Sequence, residues 1–317
     1  VCRQVAPPRL AINGIRRIVR RTVASMSATE KMSSRELGLL LAQQLLDVDD
    51  LHYGLWDADL PLSLANLAAA QQRYSDLLLE AVAGVLNAAP RQRVLDVGCG
   101  TGHLAEQMLA RGWEVTAVSP SRALADMTRQ RLAAFPSGQA RLLEARFEAL
   151  DSDDIGPFEL VLFSESFQYI PMPTLFGKLP DLLVPRGHVL VCDFFKTAAH
   201  GDGQPGDRSF GGGHLLADFY RQQAAADIEL LRDEDLTARV SPGIELLDDW
   251  LTHRVAPAGQ TLNRYLCDNY PRLTRVLTWV LRHRLARLRY KYLSGNRSRA
   301  VFEKYKSYRL LVLRQRD

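Results

Sequence analysis

Apolar and polar positions along the middle of the chain alternate between two periods, one typical of strands and one typical of helices. Short apolar runs predict strands at 93–97, 113–118, 141–144, 158–163, 188–194, 228–231 and 308–313. Segments with helical spacing predict helices between them at 101–110, 121–134, 174–183 and 214–225. Strands that alternate with helices form parallel sheets with both faces covered, so the pattern predicts a doubly wound α/β fold.

The segment before the first strand is predicted to be helical. Ser33 and Glu36 form a capping-box pattern ahead of a leucine-rich stretch, which predicts a helix that ends near Asp47. An aromatic-rich turn follows, and a second helix is predicted between Ser63 and Pro90. Because these helices precede the first strand, we expect them to form a cap on the sheet domain.

The segment before the last strand is predicted to be a helical insertion. Residues 197–213 are rich in Gly and Asp and predict a loop, whereas 243–296 have helical patterning without a good strand. The predicted domain organisation is therefore a leader, a cap, a core, a helical insertion, and the core's final strand. These parts are expected at 1–31, 32–89, 90–235, 236–305 and 306–317.

Composition restricts the class of protein. The formal net charge of +4 is too small to indicate a nucleic-acid partner, and no apolar run is long enough to cross a bilayer. The four cysteines, Cys2, Cys99, Cys192 and Cys267, form no CxxC pair, which argues against a disulfide framework and a structural zinc site. A cytoplasmic location is the simplest interpretation.

The first 31 residues are rich in arginine, with Glu30 as their single acidic residue. Such a segment is typical of a transit peptide, but it is also consistent with an extension upstream of a natural start at Met26 or Met32. Because arginine far outnumbers lysine in the chain, we favour a bacterial protein with a dispensable leader.

The segment from Val94 to Gly102 carries the candidate chemistry. It predicts a buried strand that runs into a glycine-rich turn and then a helix. Glycines allow a ligand to approach the main chain, and a helix N-terminus offers free N–H groups to an anion. A dinucleotide site fits poorly, because the third glycine comes one residue early and Ser119 stands where an acid is expected.

The sequence Asp96-Val97-Gly98-Cys99-Gly100-Thr101-Gly102 resembles motif I of the class I S-adenosylmethionine-dependent methyltransferases. The resemblance spans roughly residues 51–231 and implies a Rossmann-like sheet of seven strands whose last strand is antiparallel. It also implies S-adenosylmethionine as cofactor, held at its methionine part by Asp96, Gly98, Gly100 and, less directly, Gly102, with Cys99 as a further cofactor-binding residue.

Two further segments are similar to cofactor-binding elements of the family. Ser119-Pro120-Ser121 stands where many members have an acid that binds the ribose. This departure resembles a subgroup with tocopherol methyltransferases, natural-product sugar O-methyltransferases and cyclopropane synthases. Arg146 and Phe147 resemble the adenine-binding turn, with Glu144-Ala145 as an alternative register. Ser121 is alternatively a helix N-cap.

The acceptor side is predicted from two more segments. Ser164–Tyr169 follows the fourth strand, where the family faces the transferred methyl group, so Ser164 is a predicted cofactor contact and Tyr169 a catalytic candidate. His52-Tyr53-Gly54-Leu55-Trp56 resembles an element that lies over the cofactor, with Tyr53 as the predicted contact. His52 and His214 are candidate bases, with ordinary structural histidines as the alternative.

The sequence thus predicts an enzyme that methylates a small molecule, first at oxygen and second at carbon or nitrogen. A non-catalytic cofactor-binding module is the third alternative. The expected partner is a small acceptor rather than a nucleic acid, no metal site is evident, and the oligomeric state stays open. The acceptor is expected to be apolar or acidic.

One predicted helix bears on the acceptor. It begins at Pro271, ends before Gly295, and carries apolar positions at helical spacing beside a basic face. The apolar positions are Leu277, Leu281, Leu285, Leu288 and Tyr292, and the basic ones Arg282, Arg284, Arg287, Arg289 and Lys291. Three interpretations stay open: the apolar stripe packs on the sheet domain, the helix roofs the acceptor pocket, or it binds a membrane surface.

Overall fold

A seven-stranded sheet forms the centre of the protein. The computed structural model describes residues 44–46, 48–50, 52–86, 91–292 and 296–316, without the side chains at 287, 288, 291 and 292. The strands are β1 (Arg93–Val97), β2 (Glu114–Val118), β3 (Ala140–Leu143), β4 (Phe158–Ser164), β5 (Leu183–Lys196), β6 (Ile228–Asp235) and β7 (Lys306–Gln315). All seven strands lie where the apolar runs predict them, and β5, β6 and β7 are longer than predicted.

Helices connect and cover the strands. They are α1 (Leu67–Val85), α2 (His103–Ala110), α3 (Arg122–Leu132), α4 (Ser152–Ile155), α5 (Met172–Leu182), α6 (Leu216–Ala225), α7 (Thr237–Trp250), α8 (Ala256–Asn269), α9 (Pro271–Tyr292) and α10 (Arg299–Tyr305). A π-helical segment, Leu251–Val255, joins α7 to α8. Single 3-10 turns lie at Leu64–Asn66, Phe147–Ala149 and Phe167–Tyr169.

The strand order is β3-β2-β1-β4-β5-β7-β6, and β7 runs antiparallel to both of its neighbours. This confirms the predicted Rossmann-like fold with an antiparallel last strand. The order reverses between β1 and β4, so a crevice opens at their carboxyl ends, where open α/β sheets bind ligands. The glycine-rich turn after β1 lies at this crevice.

Successive residues of the central strands point into two separate apolar layers. Val94 and Leu162 belong to the layer that contains α1 and α2, whereas their neighbours Leu95 and Phe163 belong to the layer that contains α5 and α6. This period of two is the strand signature, and burial on both faces explains why β1 and β4 are almost continuously apolar. The sheet therefore presents a rigid edge for the functional residues.

The cap and the insertion are described only in part. Helix α1 occupies most of the predicted 63–90 helix, and residues 44–46 are helical. The leader, the capping box at Ser33 and Glu36, and the alternative starts Met26 and Met32 lie outside the described residues.

The helical prediction for the insertion is confirmed, but two residues of its predicted apolar stripe are not packed on the sheet domain. Leu277 and Leu285 of α9 are 50% and 44% exposed. The interpretation in which this stripe packs on the sheet domain is therefore wrong for these two residues. Within the described part of the chain, no helix is long and apolar enough to cross a bilayer.

Candidate active site

The three glycines of the turn after β1 all have positive φ, but each for a different reason. A Cβ on Gly98 would lie 2.5 Å from Cβ of Ser166, and one on Gly102 would lie 2.8 Å from the Thr128 side chain. A Cβ on Gly100 would meet nothing within 4 Å. Gly98 and Gly102 are thus required by internal packing, and Gly100 is the glycine that faces open space where a ligand can approach the main chain.

Asp96 is a buried carboxylate at the end of β1, and its Oδ2 has no hydrogen-bond partner among the described residues. Burial raises the pKa of Asp96 to about 7. A buried carboxylate without a partner is costly unless a cation or donor completes it. The site therefore fits a ligand with a positively charged amino group beside the glycine turn.

The segment before the 52–56 element closes over the start of α2. The Thr101 hydroxyl donates to the Asp49 carbonyl oxygen at 2.9 Å, and Nδ1 of His103 lies 2.8 Å from Oδ2 of Asp50. Burial opposes ionisation of Asp50, but the hydrogen bond from His103 and the nearby His52 ring, 3.7 Å away, hold its pKa below the ordinary value. The reciprocal hydrogen bond raises the pKa of His103. These contacts join the cap to the helix that follows the glycine turn.

The 52–56 element itself lies between α1 and α7. The Leu55 N–H donates to the Ala70 carbonyl, and the Trp56 N–H donates to the Arg239 carbonyl, both at 2.8 Å. A Cβ on Gly243 of α7 would lie 2.8 Å from Nε1 of Trp56 and would also collide with the Tyr53 carbonyl oxygen. A glycine inside α7 therefore allows the helix to approach the backbone of this element.

Four side chains form a hydrogen-bonded cluster at the carboxyl end of β4: Tyr74, Ser164, Glu165 and Tyr308. The Tyr308 hydroxyl donates to Oε1 of Glu165 at 2.8 Å and lies 3.1 Å from the Tyr74 hydroxyl. The Tyr74 hydroxyl lies 3.0 Å from Oγ of Ser164, and the His52 ring stacks on Tyr74 with centroids 4.0 Å apart. Sequence reasoning found Ser164 and His52 but not Tyr74 and Tyr308.

Glu165 is the titratable centre of this cluster. Burial, followed by the negative charge of Asp193, raises the pKa of Glu165 to about 8, although hydrogen bonds from Tyr308 and the Tyr53 backbone act in the opposite direction. Its φ of 51° is left-handed, a conformation that costs energy outside glycine and is often found at functional sites. A carboxyl group with a pKa near neutrality can exchange a proton with a bound ligand.

A second buried polar cluster lies beside the first. Asp193 accepts hydrogen bonds from the backbone N–H and the side-chain amide of Gln168, both at 3.0 Å, and burial raises its pKa to about 7. Lys306 is 1% exposed and donates to the Gly212 carbonyl at 2.7 Å. Burial lowers the pKa of Lys306 to about 8. This cluster fixes the glycine-rich 211–213 loop against the end of β5.

The serines after β2 bind their own backbone. The Ser119 hydroxyl lies 3.3 Å from both the N and the O of Ser121, and Oγ of Ser121 caps α3 by accepting from Leu124 N. The N-cap alternative for Ser121 is therefore observed. Pro120 lies between them at the carboxyl end of β2, beside the glycine turn, because Gly98 N–H and Cys99 N–H donate to the Val118 carbonyl.

Cys99 belongs to the cofactor turn but not to any nucleophilic arrangement. Its thiol is buried 3.6 Å from the Thr128 hydroxyl, and burial raises its pKa to about 12. A thiol with such a pKa stays protonated at neutral pH. The side chain therefore packs the turn onto α3.

The predicted adenine-binding residues lie at the 3-10 turn after β3. Arg146 is exposed and precedes this turn, whereas Phe147 is 3% exposed and packs edge-on against Phe163 at 5.6 Å. Phe147 is thus part of the core layer beneath the sheet edge.

The three predicted catalytic side chains do not form one group. Tyr169 is 50% exposed at the end of the 3-10 turn after β4. His214 places Nε2 at 2.9 Å from the Ile170 carbonyl oxygen and 3.3 Å from that of Phe167, so Nε2 carries a proton that it donates. Burial lowers the pKa of His214. His52 lies instead at Tyr74, in the cluster around Glu165.

The fold, the glycine turn and the unpaired Asp96 define a class I S-adenosylmethionine-dependent methyltransferase. The profile of the family described as "Methyltransferase domain" matches residues 67–236, more than half of the chain. The chain belongs to this family, and the cofactor of this class is S-adenosylmethionine.

Individual relatives agree with the family. A ubiquinone biosynthesis O-methyltransferase from Xanthomonas euvesicatoria pv. vesicatoria is 33% identical over 147 residues, which are 45% of this chain and 57% of that protein. The chain thus spans little more than half the length of this curated relative.

Solved structures share the fold at low identity. A putative sarcosine dimethylglycine methyltransferase from Galdieria sulphuraria superposes with a TM-score of 0.62 at 15% identity, over 85% of this chain and 93% of the other. The [4+2]-cyclase SpnF superposes with a TM-score of 0.58 at 20% identity, over 90% and 96% of the two chains.

Proposed function

We propose that this protein transfers a methyl group from S-adenosylmethionine to an oxygen atom of a small molecule that is apolar or acidic. The observation that carries the proposal is the carboxyl group of Glu165 at the end of β4, which has a pKa of about 8 and a hydrogen bond from Tyr308. A hydroxyl acceptor must lose a proton when it is methylated, and a base with a pKa near the working pH suits that task.

The identified relatives support transfer to oxygen. Two similar proteins, from Xanthomonas euvesicatoria pv. vesicatoria and Alkalilimnicola ehrlichii, are named as O-methyltransferases of ubiquinone biosynthesis. Because the alignment spans 57% of the Xanthomonas protein, the acceptor is proposed only as a class. That class is a small, largely apolar molecule with an ionisable oxygen.

We assign the cofactor to the crevice after β1. The unpaired Oδ2 of Asp96 suits the amino group of the methionine part, and the open side of Gly100 suits close approach of the same part. Gly98 and Cys99 support the turn, and Tyr53 lies on the covering element. Ribose contacts by Ser119, Pro120 and Ser121 and adenine contacts by Arg146 and Phe147 stay predictions.

The cofactor supplies a methyl group that its positively charged sulfonium has already activated. The protein then has to align the acceptor oxygen, exclude water and take up a proton. Glu165 takes up the proton at its carboxylate, while Tyr308 and the Tyr53 backbone N–H orient that carboxylate. The element at 52–56 is held between α1 and α7, where it would cover the cofactor at the glycine turn after β1 and exclude water.

His52, His214 and Tyr169 stay secondary candidates for proton transfer. For His214, the ring nitrogen that would accept the proton is Nδ1, because Nε2 donates to backbone carbonyls. His52 contacts Tyr74 and could accept a proton through the tyrosine cluster. The cytoplasmic location and the bacterial source also stay predictions.

A product screen tests the proposal. The full chain is incubated with S-adenosylmethionine and a panel of phenols, hydroxy acids, carboxylic acids and amines, and products that gain one methyl group are detected by mass spectrometry. Methyl ethers or esters are expected. Products that are methylated only at carbon or nitrogen, or no product at all beside measurable cofactor binding, would contradict transfer to oxygen.

A matched pair of variants tests the role of Glu165. We expect Glu165→Gln to lose roughly 10²- to 10⁴-fold in kcat, the usual contribution of general base catalysis. Glu80→Gln, an exposed position on α1, should leave kcat unchanged. Wild-type turnover in Glu165→Gln would show that Glu165 is not the base.

A further inference from the structure

Helix α9 concentrates positive charge. Its 22 residues contain no Asp or Glu and seven basic residues, which are Arg272, Arg275, Arg282, Arg284, Arg287, Arg289 and Lys291. The formal net charge of the whole chain is only +4, so the remainder of the protein is net acidic. The positive charge is therefore a local property of this helix.

The same helix exposes a contiguous apolar face. Leu273, Val276, Leu277 and Val280 follow one another at i, i+3, i+4 and i+7, the spacing that places side chains on one face of a helix. Each of the four is at least half exposed, and Trp279 beside them is 65% exposed. We call these five residues the apolar patch of α9.

None of the residues that the structure describes covers the patch. Every described side chain between 271 and 290 is exposed, except Thr274 and Leu281, which are half-buried. The Thr274 hydroxyl donates to the Leu266 carbonyl oxygen, which ties the start of α9 to the end of α8. A large exposed apolar patch on a helix marks a surface that another partner covers.

We propose that α9 binds the surface of an anionic membrane, with the apolar patch in the outer acyl region and its basic residues among the headgroups. Basic amphipathic helices with Trp and Leu on the apolar face bind membranes in this way. At about 1.5 Å per residue the helix is about 33 Å long, long enough to lie along a bilayer surface. The proposal is independent of the acceptor.

The positions of the arginines match a surface-bound helix. Arg284 follows Val280 by four residues and therefore lies on the same face of the helix as the patch, in the C-terminal half of α9. Arg275, Arg282 and Arg289 recur every seven residues on the opposite side of the helix. The N-terminal half thus offers apolar side chains for insertion, and the C-terminal half offers positive charge to the lipid phosphates.

Charge also distinguishes a membrane from other occupants. A second copy of this chain that docks helix to helix would place seven basic residues against seven, which is repulsive. A nucleic acid would use the arginines but would leave the leucine, valine and tryptophan side chains of the patch in water. An anionic lipid surface uses both features at once.

Vesicle sedimentation with the full-length chain tests the proposal. We expect the protein to sediment with vesicles of 30% phosphatidylglycerol in phosphatidylcholine and to stay in solution with phosphatidylcholine alone. Binding should weaken as salt rises, because headgroup attraction is screened within a Debye length of about 8 Å at physiological salt. Absence of binding to the anionic vesicles at low salt would overturn the proposal.

Two variants separate the apolar and the ionic parts. Val276→Gln combined with Leu277→Gln and Val280→Gln replaces the centre of the patch with a residue that favours helix and should abolish vesicle binding. Arg272→Gln combined with Arg284→Gln, at the flank and on the face of the patch, should weaken binding about 25-fold, since each basic residue near an anionic surface contributes roughly fivefold. The control with the same charge change is Arg91→Gln and Arg111→Gln, at exposed arginines outside α9, and should bind like the wild type.

Melting temperature and light scattering complete the experiment. All variants should keep the wild-type melting temperature, because the substituted side chains are exposed. Vesicle binding that survives in the patch variant would overturn the proposal. So would a wild-type dimer in solution that the patch variant converts to a monomer, since the patch would then be the surface between two copies.

Discussion

The Tyr308 hydroxyl, on the last strand, donates a hydrogen bond of 2.8 Å to Oε1 of Glu165, which follows the fourth strand 143 residues earlier. The two strands are not neighbours, since β5 lies between β4 and β7. The antiparallel direction of β7 places the beginning of that strand at the same sheet edge as the ends of the parallel strands. The proposed base is thus positioned by a residue near the C-terminus.

Tyr308→Phe should shift the pH dependence of turnover without removing the base. The hydrogen bond from Tyr308 stabilises the ionised carboxylate and lowers the pKa of Glu165, so its removal raises that pKa. The ascending limb of the profile of kcat/KM against pH should therefore move to higher pH. A profile with unchanged midpoint and height would contradict the positioning role of Tyr308.

Gly100→Val should abolish binding of S-adenosylhomocysteine, because the new side chain fills the open space that faces the ligand. The left-handed φ of 59° adds a strain of roughly 1–2 kcal/mol. Gly112→Val, also with positive φ and open space, carries the same kind of strain and should bind normally. Calorimetric titration and thermal melting measure both effects, and equal binding in the two variants would contradict the assignment.

Gly98→Ala should lose stability as well as binding, because its Cβ meets Ser166 at 2.5 Å rather than open space. Its melting temperature should fall below that of Gly100→Ala. The sequence alone predicts that Gly98 and Gly100 act alike, by making room for the ligand. The open space at Gly100 favours that role for Gly100, whereas the contact with Ser166 gives Gly98 a packing role.

Gly243→Ala should destabilise the protein by displacing the 52–56 element. A methyl group at this position collides with the Tyr53 carbonyl and lies 2.8 Å from Nε1 of Trp56. Gly84→Ala, also in a helix but with nothing within 4 Å, should instead stabilise by roughly 0.5–1 kcal/mol. Urea denaturation compares the two, and a gain of stability in Gly243→Ala would refute the predicted clash.

Lys306→Met should change how stability depends on pH. Burial lowers the pKa of Lys306 to about 8, so between pH 8 and about 10.4 the unfolded state holds more protons than the folded one. In this window the wild-type free energy of unfolding should rise with pH relative to the variant, by about 2 kcal/mol from pH 8 to 9.5. A difference that is constant over this window would show that the folded lysine titrates normally.

The sequence by itself determined the order of strands and helices and the location of the cofactor turn. Both are local properties: period-two apolar runs form strands, and glycines at Gly98, Gly100 and Gly102 allow a turn that other residues resist. The predicted bounds of β1 agree with the structure at both ends.

Only the tertiary structure decided which polar side chains meet. Tyr74, Glu165 and Tyr308 come from a helix of the cap, the end of β4 and the last strand, and nothing in their local sequence distinguishes them from ordinary core aromatics and a surface acid. The same holds for the apolar face of α9: its spacing predicts an amphipathic helix, but a helix pattern does not say what covers it. Contacts between segments far apart in the chain depend on how the sheet is assembled, so local periodicity does not predict them.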